Sequence, residues 1–308
     1  MGETVLLYFY AISTSGFATL KGDKLLMRNV KLMTQARFFK QGEALSVVAL
    51  PHTWNALDGQ DGGADYWRGI GTYEIDLPNP TKGKKQYIEL QGANHVATVY
   101  CNGRELGTHK GGFSTFRFDL TAAMLPEGNK LTVVVTNAKS DIYPQNADFT
   151  FYGGLYRDVN IIAVSESHFD LDYFGTPGIK VTPVVEGKDA NVEVEVWAVN
   201  KTDAQTIVYT VKDMEGNVVA AATTAETKVN FVIENAHLWN ARKDPYLYSV
   251  EAVLTEGEEI KDKVSTRFGC RSFQIDPDRG FILNGEEYPL RGVSRHQDRW
   301  GFGNALLP

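Results

Sequence analysis

The chain has 308 residues, of which 43% are hydrophobic and 22% charged, and 31 Lys and Arg against 38 Asp and Glu give it a net charge of −7. That length suits two or three domains, and the hydrophobic share excludes a wholly disordered chain. An acidic chain without a basic run is a poor candidate for binding nucleic acid. No apolar stretch has the roughly 20 residues that cross a bilayer.

The first 18 residues admit two interpretations. An apolar run at residues 5–12 is followed by the small residues Gly16 and Ala18, as in the core and cleavage site of a secretory signal. Glu3 is the only charged residue before the run, whereas such signals open with positive charge, so an extra first β-strand is the alternative. A signal would make the protein periplasmic or secreted, and a strand would leave it cytoplasmic.

The rest of the chain has the composition of β-strands. Strand-like segments rich in β-branched and aromatic residues lie at 87–90, 131–135, 159–164, 191–197 and 261–267. Hairpin turns are predicted at the pairs that tolerate positive φ, which are Asn102-Gly103, Gly216-Asn217 and Asn284-Gly285. Helical periodicity is scarce, with one short turn expected over residues 121–125. These patterns predict an all-β protein made of sandwiches or jelly rolls.

Two changes in composition divide the chain, near residues 165–177 and near Phe268. About 95 residues lie between them, the usual size of a seven-stranded immunoglobulin-like sandwich. About 40 residues follow, too few to bury a core of their own. We therefore expect this end, which begins with a hairpin whose predicted turn holds Glu286 and Glu287, to be a truncated domain that is loosely packed or rests on a sandwich.

Several kinds of site are absent from the sequence. The Gly-rich residues 59–63 lack the Lys-Ser/Thr ending of a phosphate loop and are expected to form a polar surface loop. No Ser lies in a nucleophile-elbow motif, and the six histidines have no metal-ligand spacing. Cys101 and Cys270 are far apart in sequence and are interpreted as two structural thiols.

Two segments mix aromatic rings with acids and arginine, at residues 54–68 and 148–158. Proteins bind sugars by stacking aromatic rings on their apolar faces and by hydrogen-bonding their hydroxyls to carboxylates, amides and arginine. An aromatic core with solvated acids explains the same composition, and Asp158 beside Arg157 could form a weak surface ion pair. Composition alone therefore leaves both interpretations open.

Four motifs make a resemblance specific, and they occur at residues 50–55 (LPHTWN), 61–73 (DGGADYWRGIGTY), 152–159 (YGGLYRDV) and 268–298 (FGCR to RGVSRHQD). In this order they resemble the front half of glycoside hydrolase family 2, most of all its bacterial β-galactosidases. The resemblance covers roughly residue 45 to the end of the chain, while residues 1–44 match poorly. It implies a jelly-roll sugar-binding domain, an immunoglobulin-like sandwich and then a (β/α)₈ barrel.

Together with the two changes in composition, the resemblance predicts a possible signal or extra strand at 1–18 and a jelly-roll β-sandwich at 19–168. An immunoglobulin-like β-sandwich follows at 169–268 and the truncated start of the barrel at 269–308. A barrel needs about 250 residues, so most of it is missing. In the family, two glutamates at the ends of later barrel strands act as acid and as nucleophile, with retention of configuration. Both would lie beyond Pro308, so the resemblance implies no catalytic residue in this chain.

The resemblance also implies residues that position the sugar. Asp148 and Asp158 match family residues that accept hydrogen bonds from sugar hydroxyls, and Asp158 also matches the ligand of a monovalent cation in some β-galactosidases. His296 falls at the end of the expected first barrel strand, where barrel enzymes keep site residues; Arg295 beside it and Asp65 on the Gly-rich loop are weaker candidates. The alternatives are structural ion pairs for the acids and a packed imidazole for His296.

The resemblance thus implies a fragment of a retaining enzyme that hydrolyses terminal β-galactosides and is inactive alone. No cofactor is required, although the complete enzyme could hold a Na⁺ or Mg²⁺ ion, and the expected partners are carbohydrate and further copies of the full-length enzyme. A β-glucuronidase of the same family is the first alternative. A stand-alone carbohydrate-binding protein and a purely structural pair of sandwiches are the others.

Overall fold

The computed structural model describes residues 28–58, 65–138, 140–142 and 150–306. The predicted signal or strand at 1–18, the Gly-rich residues 59–63 and Asp148 lie outside the described residues. Within the described part the secondary structure consists of strands and turns, which confirms the all-β prediction. None of the described segments forms a helix that is long and apolar enough to cross a membrane.

The strands in chain order are β1 (Asn29–Met33), β2 (Gln35–Lys40), β3 (Ser46–Ala49), β4 (Ile70–Asp76), β5 (Lys85–Leu90), β6 (Val96–Cys101), β7 (Arg104–Lys110), β8 (Phe116–Asp119), β9 (Lys130–Thr136), β10 (Val159–Val164), β11 (His168–Phe169), β12 (Ile179–Glu186), β13 (Asp189–Val196), β14 (Ala198–Val199), β15 (Gln205–Lys212), β16 (Val218–Thr224), β17 (Lys228–Ile233), β18 (Tyr248–Glu256), β19 (Glu259–Phe268), β20 (Phe273–Asp276), β21 (Gly280–Leu283) and β22 (Glu286–Glu287).

The first sandwich packs a six-stranded sheet, β3-β2-β4-β9-β6-β7, against a four-stranded sheet, β1-β10-β5-β8. Strand β9 buries every second residue, as a strand with one solvated face should. Tyr73 and Val133 from the larger sheet meet Ile88 and Ile161 from the smaller one in a single core. This sandwich is the predicted jelly-roll domain.

The second sandwich packs β12-β13-β17 against β16-β15-β18-β19. Its seven strands match the predicted immunoglobulin-like domain. Val192, Tyr209 and Val250 are fully buried between the two sheets. The alternation read from residues 191–197 is realised in β13, where apolar residues are buried and the glutamates remain at the surface.

Tight turns lie where the sequence predicts them. Asn102 and Gly103 have φ of 52° and 80°, and Asn284 and Gly285 have φ of 51° and 83°, the left-handed conformation that two-residue hairpin loops require. Gly216, in the turn between β15 and β16, has φ of 91°. Both cysteines are free and buried, and burial raises the pKa of the Cys270 thiol to about 11.

A buried ion pair fastens the linker between the sandwiches to the first sandwich. Arg117 Nη2 lies 2.6 Å from Glu89 Oε2, with the two side chains 8% and 9% exposed. Arg117 Nη1 donates to the carbonyl oxygens of Leu171 at 2.6 Å and Thr176 at 2.9 Å. Asn160 Nδ2 donates to the other Glu89 oxygen at 3.0 Å. The pair thus holds two linker carbonyls against the four-stranded sheet.

A second ion pair repeats this arrangement at the other side of the linker. Arg28 Nη2 lies 3.1 Å from Asp262 Oδ2 and donates to the carbonyl oxygens of Phe169 and Pro177. The Phe169 amide donates to Asp262 Oδ2 at 2.8 Å. Because Asp262 belongs to β19 of the second sandwich, this pair joins the start of the described chain to both the linker and the second sandwich.

The last forty or so residues hold a small three-stranded sheet, β20-β21-β22. Glu286 and Glu287 form β22 rather than the turn expected for them, because Asn284 and Gly285 alone make that turn. The expected barrel strand ending at His296 is not formed: residues 288–298 have no strand, since a barrel strand needs hydrogen-bonded neighbours on both sides. Val293 and Trp300 are 93% and 70% exposed.

Candidate functional site

Residues 151–158, here called the Gly-Gly loop, lie at one end of the first sandwich. Backbone hydrogen bonds tie the loop to two other segments. His52 N donates to Leu155 O at 2.7 Å, and Trp54 N donates to Gly153 O at 3.2 Å. On the other side, Asn94 N donates to Gly154 O at 3.0 Å. The loop is therefore held by backbone hydrogen bonds between residues 50–56 and residues 93–95.

Three buried asparagines bind further polar groups of this loop. Asn55 Oδ1 accepts hydrogen bonds from Gly153 N at 2.9 Å and Thr53 Oγ1 at 3.0 Å. Asn94 Nδ2 donates to the Tyr152 carbonyl. Asn137 and Asn55 are fully buried and Asn94 is 2% exposed. Because unpaired buried polar groups are costly, these amides fix the conformation of the loop.

Asn137 also connects the Gly-Gly loop to the segment that follows Asp65. Its Oδ1 accepts from Gly69 N at 2.9 Å, and its Nδ2 donates to the Trp67 carbonyl at 3.2 Å and, more weakly, to the Phe151 carbonyl at 3.5 Å. Residues 65–69 and the Gly-Gly loop therefore meet at the same end of the sandwich.

Both glycines of the loop are required by close packing. A Cβ on Gly153 would lie 2.2 Å from Trp54 Cζ2, and one on Gly154 would lie 2.5 Å from the His52 carbonyl oxygen. Gly154 also has φ of 128°, a conformation that other residues rarely adopt. The loop can approach the core this closely only because these two side chains are absent.

Gly153→Ala is expected to lower the free energy of unfolding by about 1–3 kcal/mol, because the new methyl group must displace the buried Trp54 ring. Urea unfolding followed by tryptophan fluorescence measures this change. Gly292→Ala is the matched control, since no atom lies within 4 Å of its Cβ position. Equal stabilities of the two variants would contradict the packing argument.

Trp54 belongs to an aromatic core rather than to an open sugar platform. Its ring stacks on Phe38 at 5.9 Å and 11° and meets Trp67 edge-on at 5.9 Å and 76°. Trp54 is only 7% exposed. For this residue the structure supports the core interpretation left open by the composition.

His52 lies beside this core and is held neutral by its surroundings. Its Nδ1 lies 2.9 Å from the Tyr73 hydroxyl. Burial, with a smaller contribution from the positive charge of Lys40, lowers the pKa of His52 from 6.5 to about 4. The folded protein therefore disfavours protonation of the His52 imidazole, whereas the unfolded chain does not.

The unfolded chain consequently binds more protons at His52 than the folded chain does at pH values between about 4 and 6.5. The stability contribution of neutral His52 is complete above pH 6.5 and is lost as the pH falls toward 4. His52→Gln is expected to reduce this pH dependence without abolishing it, because burial also lowers the pKa of His95, His109 and His168. Urea unfolding at steps across this pH range measures how the free energy of unfolding changes with pH. If that slope were the same in His52→Gln and wild type, the pH dependence could not be assigned to His52.

A cleft of about 310 Å³ opens beside His52 and Trp54. Its lining includes the apolar Val48 and Leu57, the carboxylate residues Glu43 and Asp58, and Gly301 from the end of the chain. Asp58 Oδ2 accepts a hydrogen bond from Trp67 N at 2.9 Å, so this carboxylate holds the polypeptide around Trp67 in place.

Asp158 ends the Gly-Gly loop and directly precedes β10. Its backbone oxygen accepts a hydrogen bond from Gln91 N at 3.0 Å. The neighbouring Arg157 donates to the Phe113 carbonyl at 2.9 Å and lies over the Tyr156 ring at 5.1 Å. No ion pair joins Asp158 to Arg157 in the part of the chain that the structure describes. The Asp158 carboxylate therefore carries no structural bond to the described residues.

The other sequence-predicted residues occupy exposed positions. Asp65 accepts a hydrogen bond from the adjacent Tyr66 N at 2.8 Å. Arg295 and His296 are exposed, and the Tyr152 hydroxyl donates to Asp298 Oδ2 at 3.0 Å. A Cβ on Gly303 would lie 2.7 Å from the Tyr152 ring. The segment after His296 thus rests on the Gly-Gly loop, as expected for an end that leans on a sandwich.

Several residues that shape this site are not predicted by the sequence. They are Asn55, Asn94 and Asn137, together with the contact between Tyr152 and Asp298. Asn55 lies in a motif that had been identified, but asparagine is common in turns, so its burial could not be recognised from composition.

The described residues do not form a cluster of metal-binding side chains. The described residues contain no group of three or more His, Cys, Asp or Glu side chains that could hold a metal ion. A cation at Asp158 would need its other ligands from carbonyl oxygens, water, bound sugar or residues outside the described part. The cation at Asp158 remains a prediction.

Two family models match the chain. The model described as glycosyl hydrolases family 2, sugar binding domain, matches residues 44–165. The model described as glycosyl hydrolases family 2 matches residues 177–271. Together they cover the second sandwich and the first sandwich from β3 onward, while β1 and β2 lie before the matched residues.

Individual relatives are similar over most of the chain. A β-glucuronidase from Bacteroides fragilis is 37% identical over 85% of this chain and 40% of its own length. The crystal structure of an FMN-binding β-glucuronidase from Faecalibacterium prausnitzii has a TM-score of 0.87 and 42% identity, over 92% of this chain and 45% of that one. A putative β-galactosidase from Bacteroides fragilis has a TM-score of 0.81 and 30% identity, over 92% and 47% of the two chains. The chain thus spans less than half the length of these relatives.

Proposed function

Because the chain belongs to glycosyl hydrolases family 2, we propose that it forms the sugar-binding front part of an enzyme that hydrolyses terminal β-glucuronides. One observation of the structure supports this proposal above the others. The Gly-Gly loop, the residues around Trp67 and the segment after His296 meet at one end of the first sandwich. The first two segments carry the sugar-contact candidates Asp158 and Asp65, and the third directly follows His296; the three candidates are far apart in sequence.

The proposed role of this end is to bind and orient the non-reducing sugar. The Asp158 carboxylate would accept hydrogen bonds from sugar hydroxyls, and charged acceptors make the stronger hydrogen bonds. His296 and Arg295 would contribute from the opposite side once the rest of the barrel holds them. The buried asparagines matter here because a rigid wall loses little entropy when the sugar binds.

The bond-breaking groups are proposed to lie outside these residues. The acid and the nucleophile of the family are two glutamates on later barrel strands, which act through a covalent intermediate with retention. We therefore expect this chain to be inactive alone. The proposal includes the jelly-roll domain at 19–168, the immunoglobulin-like domain at 169–268 and the start of the barrel at 269–308. It also includes a monovalent cation bound at Asp158.

The choice of glucuronide over galactoside follows from the relatives. Two β-glucuronidases are 42% and 37% identical to this chain and others are 23–31% identical, whereas the β-galactosidase from Thermoanaerobacter pseudethanolicus is 29% identical. The motifs that first suggested a β-galactosidase occur in a part of the chain that relatives of both names share. A β-galactosidase remains the second candidate, supported by the 30% identical structure described above.

The kinetics of the complete gene product test the proposed substrate. We expect kcat/KM for an aryl β-glucuronide to exceed that for the matching β-galactoside by about 100-fold or more. The reason is that a galactoside has no carboxylate, so it would leave the polar groups that pair with the glucuronide carboxylate unpaired. The matching aryl β-glucoside serves as control for the leaving group. A preference for the galactoside would replace the first candidate with the second.

A further inference from the structure

Tyr152 connects the Gly-Gly loop to the last described part of the chain. Its side chain is 6% exposed, so the ring offers almost no surface to a bound sugar. The hydroxyl donates a hydrogen bond to Asp298 Oδ2 at 3.0 Å, and hydrogen bonds to carboxylates are among the stronger ones. The contacts of Tyr152 therefore hold another segment in place rather than touch a ligand.

The Tyr152 ring also packs against the chain that follows Asp298. A Cβ on Gly303 would lie 2.7 Å from this ring and 2.8 Å from Thr53 Cγ2. Gly303 has φ of 55°, so both the close approach and the backbone conformation favour glycine here. The hydroxyl and the ring of Tyr152 thus hold the chain at two points, Asp298 and Gly303.

Residues 298–305, which are the segment after His296, form a compact loop on this support. Arg299 N donates to Gly303 O at 2.9 Å, and Gly303 N donates to Arg299 O at 2.8 Å. Ala305 at the end of the loop is 4% exposed. The segment after His296 is therefore anchored to the first sandwich, although residues 288–298 form no strand.

We propose that Tyr152 is a positioning residue for His296 and acts through its hydrogen bond to Asp298. The inference rests on the proposed function, in which His296 contacts the sugar. Two residues of extended chain span at most about 7 Å, so an anchor at Asp298 keeps the backbone of His296 near the Gly-Gly loop. Tyr152 itself is held by Asn94, whose Nδ2 donates to its carbonyl oxygen.

The expected consequence of this anchor is tighter binding of the sugar. A side chain that is already held beside the sugar loses less conformational entropy on binding than a side chain on a free segment. Without the Tyr152 hydroxyl, the sugar itself would have to order the backbone around His296. We therefore expect the loss of this hydroxyl to weaken substrate binding more than it slows the chemical step.

Kinetics of the complete gene product test this role, with whichever aryl glycoside, glucuronide or galactoside, it hydrolyses. Tyr152→Phe removes only the hydroxyl and is expected to lower kcat/KM about tenfold, chiefly through a higher KM. Tyr173→Phe is the matched control in the linker, where the ring stacks on Trp197, and should behave like wild type. An unchanged kcat/KM in Tyr152→Phe overturns the proposal. So does a lower kcat with unchanged KM, which a smaller folded fraction would give.

A second substitution shows whether Tyr152 acts through His296. In His296→Ala the group to be positioned is absent, so adding Tyr152→Phe is expected to change kcat/KM by less than about twofold. If each substitution instead lowers kcat/KM in the double variant as much as it does alone, Tyr152 acts independently of His296 and the proposal is overturned.

Hydrogen exchange of the 308-residue chain tests the anchor without any turnover. The amides of Arg299 and Gly303 are hydrogen-bonded within the segment after His296, and Tyr152→Phe is expected to raise their exchange rates about tenfold by easing local opening. Amides of β13 in the second sandwich should exchange as in wild type. Unchanged rates at Arg299 and Gly303 overturn the anchor. A complete protein that hydrolyses neither glycoside overturns the proposed function instead, and the exchange rates then decide the anchor alone.

Discussion

Arg117→Leu is expected to lower the free energy of unfolding by about 3–5 kcal/mol, because removing one partner of a buried ion pair leaves an uncompensated charge. Glu89 would keep hydrogen bonds from Asn160 and Gln91 but lose its counter-ion. The carbonyl oxygens of Leu171 and Thr176 would lose their donor as well. Denaturant unfolding followed by fluorescence and circular dichroism measures the effect.

Arg279→Leu is the matched control. Arg279 pairs with Glu287 at 2.9 Å, but the two side chains are 50% and 59% exposed, and such surface pairs contribute about 0–1 kcal/mol. The double variant Arg117→Leu with Glu89→Leu is expected to recover part of the loss, since it leaves no buried charge. If Arg117→Leu cost no more than Arg279→Leu, the buried pair would not be what fastens the linker.

In the complete enzyme, Asp158→Asn is expected to reduce kcat/KM about 10- to 100-fold. A hydrogen bond to a charged acceptor is worth about 1.5–3 kcal/mol, and each 1.4 kcal/mol is a factor of about ten. The substitution keeps the size of the side chain and removes its charge. None of the described residues forms a hydrogen bond or ion pair with the Asp158 carboxylate, so stability should change by less than about 0.5 kcal/mol.

The control for Asp158 is Asp203→Asn, which removes the same charge from an exposed turn of the second sandwich. It should leave both kcat/KM and stability unchanged. A large loss of stability in Asp158→Asn, together with unchanged kinetics of the folded fraction, would favour a structural role. Unchanged kinetics and stability would remove Asp158 from the site.

Most of the fold could be predicted from local sequence patterns, namely turn residues and the alternation of apolar and polar residues. Asn-Gly and Gly-Asn pairs placed the turns because few other residues accept positive φ there, and the alternation in β13 predicted its buried face. The sequence did not show that Arg117 and Arg28 would turn inward, because their partners lie in distant segments and arginine is usually at the surface. For the same reason the contact of Tyr152 with Asp298 could not be found.

The candidate site was predicted less completely than the fold. The four motifs located the loops that meet at one end of the first sandwich, but the buried asparagines that hold them were missed. Trp54 was part of a suggestive sugar-binding composition and is a core residue. The strand expected to end at His296 is not formed, since its hydrogen-bonded neighbours would come from the rest of a barrel.

The most direct test is to assay an aryl β-glucuronide with the pure 308-residue chain and with the complete gene product, at equal molar concentration. The account predicts turnover by the complete protein and none by this chain, because the two catalytic glutamates are proposed to lie outside these residues, which are proposed to position the sugar. Turnover by the 308-residue chain would contradict the account, since catalytic carboxylates would then have to lie among the residues assigned here to structure and sugar contact.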